Sequence, residues 1–288
     1  MDMHQATPAP ADTGWASRLQ LRYLHEAGRT RALHRHEGAL RVLAALYPEG
    51  EAVCHHVLVH PPAGLAGGDS VHMELELEPG AHALLTTPGA TRFYRSLGAG
   101  ASQSLRARVA AGARLEWLPL ESLAYEDCIA ENRAVFELEP GAEMLAWDML
   151  ALGRPASGDA FARGRFTQHL EIPGVWLERG CIDGTDRVLR EAPGGLDGRA
   201  AMGTLLLAAG SPLQAARREA LLETARALLE DLPEGLRAGV TSPQPGVLVL
   251  RAMAQRVEPV ADLLRGVWAA WRTQAWGLAP CVPRVWST

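Results

Sequence analysis

The chain has 288 residues, of which 48% are hydrophobic, and a net charge of -5, so we expect a soluble globular protein with a sizeable core and no nucleic-acid or anionic-membrane partner. All 28 basic residues are arginine. The absence of lysine excludes a phosphate-binding P-loop, a Schiff-base enzyme and a lysine general base, because a guanidinium cannot replace an amine in these roles.

The terminal segment and the cysteines indicate the compartment. Residues 1–14 are polar and proline-rich, unlike a secretory signal, and we predict a disordered tail followed by a single β-rich domain over 15–288. The four cysteines lie far apart and form no CxxC pair, which is typical of reduced thiols. No apolar run approaches the roughly 20 residues that span a bilayer. We therefore expect a cytoplasmic protein.

Possible metal ligands are concentrated in the first sixty residues: His34, His36, Cys54, His55, His56 and His60. His34 and His36 share one face of a strand, whereas the adjacent His55 and His56 point to opposite faces and do not easily bind one ion. Surface or core histidines are the simpler interpretation. No tight metal site is predicted.

The segment HPPAGLAGGD at 60–69 is too rich in proline and glycine for regular structure and must be a shaped loop. In the simpler interpretation it redirects the chain, with Asp69 capping backbone N–H groups. In the functional interpretation, His60 or Asp69 contacts a small cation.

A second irregular loop, TTPGATRFYR, follows at 86–95. It combines hydroxyls and arginines, and Arg92 and Arg95 are suited to binding carboxylates of a partner protein. A solvated loop without a partner is the alternative. Loops on a rigid β scaffold often carry function, so both interpretations stay open.

Three segments, 73–88, 105–120 and 134–150, each consist of two short runs joined at a Gly-Ala pair. Apolar residues stand three and five positions before and after each glycine, with charged or polar residues between them. This period-two alternation predicts a strand–turn–strand unit with one buried face, repeated about every 30 residues. It favours stacked β-layers, although a meandering antiparallel sheet also produces such matches. A fainter copy surrounds Gly50.

Acidic residues recur in and after these units. Glu116 and Asp148 fall on opposite alternation phases unless a bulge intervenes, so the sequence gives no ground for pairing them as general acid and base. Salt bridges to arginine are the default role for such carboxylates. No Ser-His-Asp order, HExxH or GxSxG motif occurs.

The last third of the chain changes character. A strand is predicted over 202–209, then a helix from Pro212 to about Glu230 with Ser211 as its N-cap and Gln214 as capping-box partner. A strand over 247–254 precedes a second helix, whose Trp268 and Trp271 we assign to the core. The predicted fold is mainly β, with a smaller helical portion over about 201–288.

Five motifs in order, HPPAGLAGGD, TTPGATRFYRS, GARLEWLPLES, WDMLALGR with GDAF, and PRVW, resemble the urease accessory protein family UreD, also called UreH. The resemblance spans residues 19 to 286. It implies a β-helix-like fold with two helices, no catalysis, and a chaperone-like role in a complex with UreF, UreG and apo-urease. It also implies no tightly bound cofactor, with GTP bound by UreG and nickel in transit toward the urease active site.

The resemblance also assigns candidate residues in two sets. The nickel passage would use carboxylates: Asp69, Glu116, Glu121, Asp148 and Asp159. Loop or partner contacts would come from His60, Thr86, Thr87, Arg92, Tyr94, Arg95 and Arg154. Leu120 stands where the family commonly has glutamine, which weakens a hydrated passage at that point.

Two other hypotheses stay open. A pure docking module would remodel apo-urease while nickel travels elsewhere, and only a conduit would be sensitive to changes of interior carboxylates. A hydrolase using the acidic loops is the rival of another class, and it predicts turnover by the isolated protein.

Overall fold

The computed structural model describes residues 14–287, so the predicted tail over 1–14 lies outside the described part except for Gly14. The strands are β1 Ala16–Glu26, β2 Arg29–Glu37, β3 Arg41–Val42, β4 Val53–Val59, β5 Gly64–Leu65, β6 Ser70–Leu77, β7 His82–Thr86, β8 Thr91–Phe93, β9 Ala101–Val109, β10 Arg114–Leu118, β11 Ser122–Ala124, β12 Ile129–Leu138, β13 Glu143–Leu152, β14 Arg165–Ile172, β15 Trp176–Asp183, β16 Ala201–Ala209, β17 Arg237–Gln244 and β18 Val247–Ala254. The helices are α1 Arg187–Glu191, α2 Ala215–Leu228 and α3 Val257–Trp276.

The three predicted strand–turn–strand units are confirmed as β6–β7, β9–β10 and β12–β13. Their turn glycines, Gly80, Gly112 and Gly141, have φ of 77°, 71° and 85°, a left-handed conformation that glycine adopts without a Cβ penalty. Equivalent strands of successive units pair in parallel, β6 with β9 and β12 in one sheet and β7 with β10 and β13 in the other. The repeat therefore builds a stack resembling a β-solenoid.

Two sheets result from this stacking. The seven-stranded sheet has the order β15-β14-β12-β9-β6-β1-β2, and the main path of the eleven-stranded sheet is β17-β18-β16-β13-β10-β7-β4-β3. The short strands β5, β8 and β11 extend the larger sheet. Alternating apolar side chains from both sheets, such as Leu75, Ala107, Leu115 and Met144, meet in one buried core.

The fainter copy at Gly50 is half formed. Strand β4 pairs in parallel with β7, with Val53 opposite His82, as the next layer requires. Strand β2 does not take the place of β6 in this layer. It pairs antiparallel with β1, and β1 is the strand that pairs in parallel with β6.

Helices α2 and α3 give the larger sheet a second core on its outer face. Trp268 and Trp271 of α3 are fully buried there, which confirms their assignment to the core. The predicted start of the first helix is wrong. Helix α2 begins at Ala215 with Gln214 as N-cap, because the Ser211 hydroxyl instead accepts a hydrogen bond from the Gly141 N–H and anchors the loop to the β-stack.

Several elements were not predicted, among them the strand pair β14–β15, the edge strand β17 and the five-residue helix α1. Within residues 14–287, none of the helices combines the length and apolar character needed to cross a membrane.

Candidate functional site

A cavity of about 320 Å³ lies between the two sheets. Gln103 of β9 and Asn132 of β12 contribute to one wall, while Trp117 of β10 and Asp148 of β13 contribute to the other. The two segments predicted to be irregular also line it, but the prediction that they lack regular structure is wrong in part, because each contains a short strand, β5 or β8, and these two strands pair in parallel. The lining residues of the two segments include His60, Thr87 and Arg92. The cavity is therefore formed by the stack and bordered by its loops.

Asp148 is the carboxylate of this cavity and is only 8% exposed. One of its oxygens accepts a hydrogen bond from Asn132 Nδ2 at 2.6 Å and the other accepts one from the Gln168 amide, so the smaller sheet supplies both donors. Burial, reinforced by repulsion from Glu178, raises the pKa of Asp148 to about 7. Glu178 itself is paired with Arg251 across the two sheets. Near neutral pH the charged and neutral forms of this carboxyl group are therefore both populated.

Glu116 lies on the opposite face of the same sheet, as its alternation phase predicts. It is fully buried and accepts hydrogen bonds from His82 Nε2 at 2.8 Å, Trp268 Nε1 at 2.7 Å and Arg272 Nε at 3.0 Å. Burial alone would raise the pKa of Glu116, but the His82 hydrogen bond and the charge of Arg272 lower it below its ordinary value. Glu116 therefore ties α3 to the β-stack and does not face the cavity.

Asp69 and Asp159 organise backbone. The two oxygens of Asp69 accept from the Trp15 and Ala66 N–H groups, both at 2.8 Å, in agreement with the capping interpretation. Asp159, which is 7% exposed, accepts from the Phe161 N–H at 3.0 Å and the Glu126 N–H at 3.1 Å. These bonds hold two loops in shape.

The remaining predicted residues around the second loop form hydrogen bonds within the fold. The Thr86 hydroxyl donates to the Leu118 carbonyl and accepts from Trp286 Nε1, both at 2.7 Å. The Thr87 hydroxyl accepts from the Leu120 N–H at 2.9 Å. Glu121 is half-buried, and its backbone carbonyl accepts from the Thr91 N–H at 2.9 Å.

Tyr94, Arg95 and Arg154 lie in one surface cluster with Tyr125. The rings of Tyr94 and Tyr125 pack edge to face at 5.3 Å, and the Arg154 guanidinium lies 4.1 Å from the Tyr125 ring centroid. Arg95 is exposed, with Nε 3.6 Å from an oxygen of Asp127. Aromatic rings and arginines held together in this way are characteristic of protein-binding surfaces.

The early histidines adopt the predicted arrangement. His34 and His36 stack on one face of β2, with ring centroids 5.8 Å apart. His55 contacts Glu49, whereas His56 bonds to the Tyr23 hydroxyl at 2.8 Å, so the adjacent pair does point to opposite sides. Burial, together with His34 and His55, lowers the pKa of His56 to about 4, which keeps it neutral.

Sequence reasoning missed the polar partners of Asp148. Asn132 and Gln168 occupy inward positions, Asn132 between the buried Ala130 and Ala134 on the same face of β12. A polar residue in the apolar phase of an alternating strand is the signal that would have identified it.

The stacked sheets and the cavity between them define a β-solenoid-like protein with a candidate interior site. The model of the UreD urease accessory protein family matches residues 16–287, and the chain belongs to that family. It is 54% identical over 276 residues to the urease accessory protein UreD of Leptothrix cholodnii, a match covering 95% of this chain and 99% of that protein. Similar matches, both covering 95% of this chain and 99% of the relative, are UreD of Paracidovorax citrulli at 54% identity and of Variovorax paradoxus at 51%.

Proposed function

We propose that this chain takes part in the maturation of urease as a non-catalytic accessory protein of the cytoplasm. Family membership over residues 16–287 carries this proposal, together with relatives named urease accessory proteins that match it over nearly their whole length. Fold alone does not determine function. The sequence identity of about one half over nearly the whole chain, however, is far higher than a shared fold requires.

The partners in this proposal are UreF, UreG and the urease structural subunits, with GTP bound by UreG. The surface cluster of Tyr94, Arg95, Tyr125 and Arg154 is our candidate contact for one of them. Its arginines can bind partner carboxylates, and its ordered rings lose little entropy on binding. Tagged chain expressed with the urease genes of its host should retain these proteins through purification. Purification of the chain without them would contradict the assignment.

The cavity between the sheets is our candidate route for nickel. Asp148 offers a carboxylate, and the side-chain amides of Gln103 and Asn132, which line the same cavity, offer oxygens. Few, weak oxygen ligands suit transfer, because a conduit must release its ion. Passage roles for Asp69, Glu116, Glu121 and Asp159 stay predictions, and none of these four lines the cavity.

A substitution at Asp148 separates the conduit from the pure docking module. Asp148→Asn keeps the shape of the side chain but removes its charge, and its NH2 group is accommodated when the Gln168 amide turns its oxygen toward it. We expect urease matured with this variant to contain less nickel, while the accessory complex still forms. Metal analysis of purified urease and co-purification measure the two effects. Glu76→Gln, which changes an exposed carboxylate on the smaller sheet, is the control. Full nickel loading with Asp148→Asn would favour the docking module.

A further inference from the structure

A second group of metal-ligand side chains lies on the outer face of the larger sheet, away from the cavity. Glu49 precedes β4, His55 lies within β4, and Cys281 belongs to the segment after α3. One ligand atom from each residue lies within 4.8 Å of the other two. Glu49 and His55 are six residues apart, whereas Cys281 is distant in the sequence, so the complete group exists only in the folded protein.

The surroundings of this group favour a cation. Arg272 Nη2 lies 2.7 Å from both oxygens of Glu49, and Arg272 Nε lies 3.0 Å from Glu116 Oε1. One guanidinium thus faces two carboxylates, both largely or fully buried. Each carboxylate also bonds to an imidazole, Glu49 to His55 and Glu116 to His82. Arg272 is thus the one guanidinium that contacts them within residues 14–287, and a metal ion at Glu49 would add a second cation.

We propose that Glu49, His55 and Cys281 bind one divalent transition-metal ion of the Zn(II), Ni(II) or Co(II) class. A carboxylate, an imidazole and a thiolate bind such ions at about 2.0–2.3 Å, which places tetrahedral ligand atoms about 3.3–3.8 Å apart. His55 Nε2 is now 2.6 Å from Glu49 Oε1, so small side-chain rotations open the site. The Cys281 thiol releases its proton to solvent when the metal binds.

Three protein ligands leave a fourth position open to water or to a ligand from another protein. His55 is only 5% exposed, whereas Cys281 is half-buried, so access is from the side of the C-terminal segment. The open position distinguishes this site from a closed structural zinc site. The proposed site also does not require that nickel passes between the sheets.

Cobalt titration of the full-length chain tests the site. Co(II) should bind one equivalent and produce the thiolate-to-cobalt charge-transfer absorption in the near ultraviolet, and Zn(II) should abolish it. Cys281→Ser should lose this absorption, whereas Cys181→Ser, which changes an exposed cysteine of β15, should retain it. His55→Gln should weaken Co(II) binding by roughly tenfold or more. No absorption in the parent chain, or full absorption in Cys281→Ser, would overturn the proposal.

Alkylation gives an answer that is independent of variant folding. In the parent chain, Zn(II) should protect Cys281 from a maleimide while Cys181 still reacts, as measured by peptide mass spectrometry. Equal reaction of Cys281 with and without Zn(II) would overturn the proposal. Neither experiment involves urease, so its failure would leave the maturation role untouched.

Discussion

Glu116 shows how one residue can connect separate parts of this fold. Its carboxylate is fully buried and joins β7 and β10 to α3 through His82, Trp268 and Arg272. A buried charge is stable only while its partners remain, because desolvation of an unpaired charge costs several kcal/mol. The packing of α3 on the larger sheet therefore depends on this single side chain.

Replacing Glu116 by glutamine tests this dependence. The change keeps the volume but leaves the fully buried Arg272 without one of its two carboxylates. We expect the free energy of unfolding to fall by about 3 kcal/mol, measured by urea denaturation. Glu76→Gln removes an exposed partner of Arg108 and should change little. Equal stabilities of the two variants would contradict the network.

Asp148 should make stability depend on pH. An unfolded aspartate has a pKa of about 3.9, whereas burial raises that of folded Asp148 to about 7. Between these values the folded protein binds more protons than the unfolded chain, so the Asp148 contribution to stability falls as pH rises from about 4 to about 7.

The variant Asp148→Asn cannot ionise and should escape this loss. Relative to the parent chain, it should gain a few kcal/mol at about pH 8, at about 1.4 kcal/mol for each unit of raised pKa, and almost nothing at about pH 4. Urea denaturation at both pH values measures the difference. Asp262→Asn, at an exposed position of α3, should show no such trend. An Asp148→Asn gain that is the same at both pH values would contradict the raised pKa.

For single residues, the sequence identifies which carboxylates are of interest better than it identifies the side chains that surround them. Asp148 was named through a family motif, and the opposite faces of Glu116 and Asp148 follow from strand alternation alone. The partners of both carboxylates could not be named, because Gln168 and Arg272 reach them through tertiary packing. Glu116 is separated from Arg272 by 156 positions, and no local pattern relates them.

Among the elements, the β-units were predictable and the helix start was not. A Gly-Ala pair with alternating flanks specifies a strand–turn–strand unit locally, and three copies specify that the units stack. Ser211 and Pro212 form an equally local capping signal, yet a hydrogen bond from Gly141 in the neighbouring layer prevailed. The local turn signal predicted the structure correctly where three copies of the repeat supported it, whereas the single capping signal did not.

The contact between α3 and β16 is tight enough to test with one methyl group. A Cβ at Gly203 would lie 2.7 Å from Val260 Cγ1 and 3.0 Å from Leu264 Cδ2. Both residues are fully buried, and valine has little rotamer freedom in a helix. We expect Gly203→Ala to lower the free energy of unfolding by about 1–3 kcal/mol. Gly239→Ala in β17, where a Cβ meets nothing within 4 Å, is the matched control and should not destabilise.

At the scale of the whole molecule, the two sheets and the loops serve different purposes. Parallel stacking fixes the distance between the sheets, and polar side chains at inward positions prevent complete apolar filling near Asp148. The segments at 60–69 and 86–95 border the resulting cavity, and their short strands β5 and β8 pair with each other. The cavity itself could not be predicted, because it depends on which inward residues from both sheets face one another.

The conduit hypothesis makes a prediction about this geometry that is independent of charge. Leu120 lines the cavity and is half-buried, so Leu120→Trp adds bulk at its wall without changing any ionisable group. If nickel passes here, urease matured with this variant should contain less nickel although UreF, UreG and urease still co-purify with the chain. Leu228→Trp, at a partly exposed position of α2, makes the same chemical change on the outer surface and should leave nickel loading intact. Normal loading with Leu120→Trp would place the nickel route outside this cavity, and loss of the complex in that variant would assign Leu120 to docking instead.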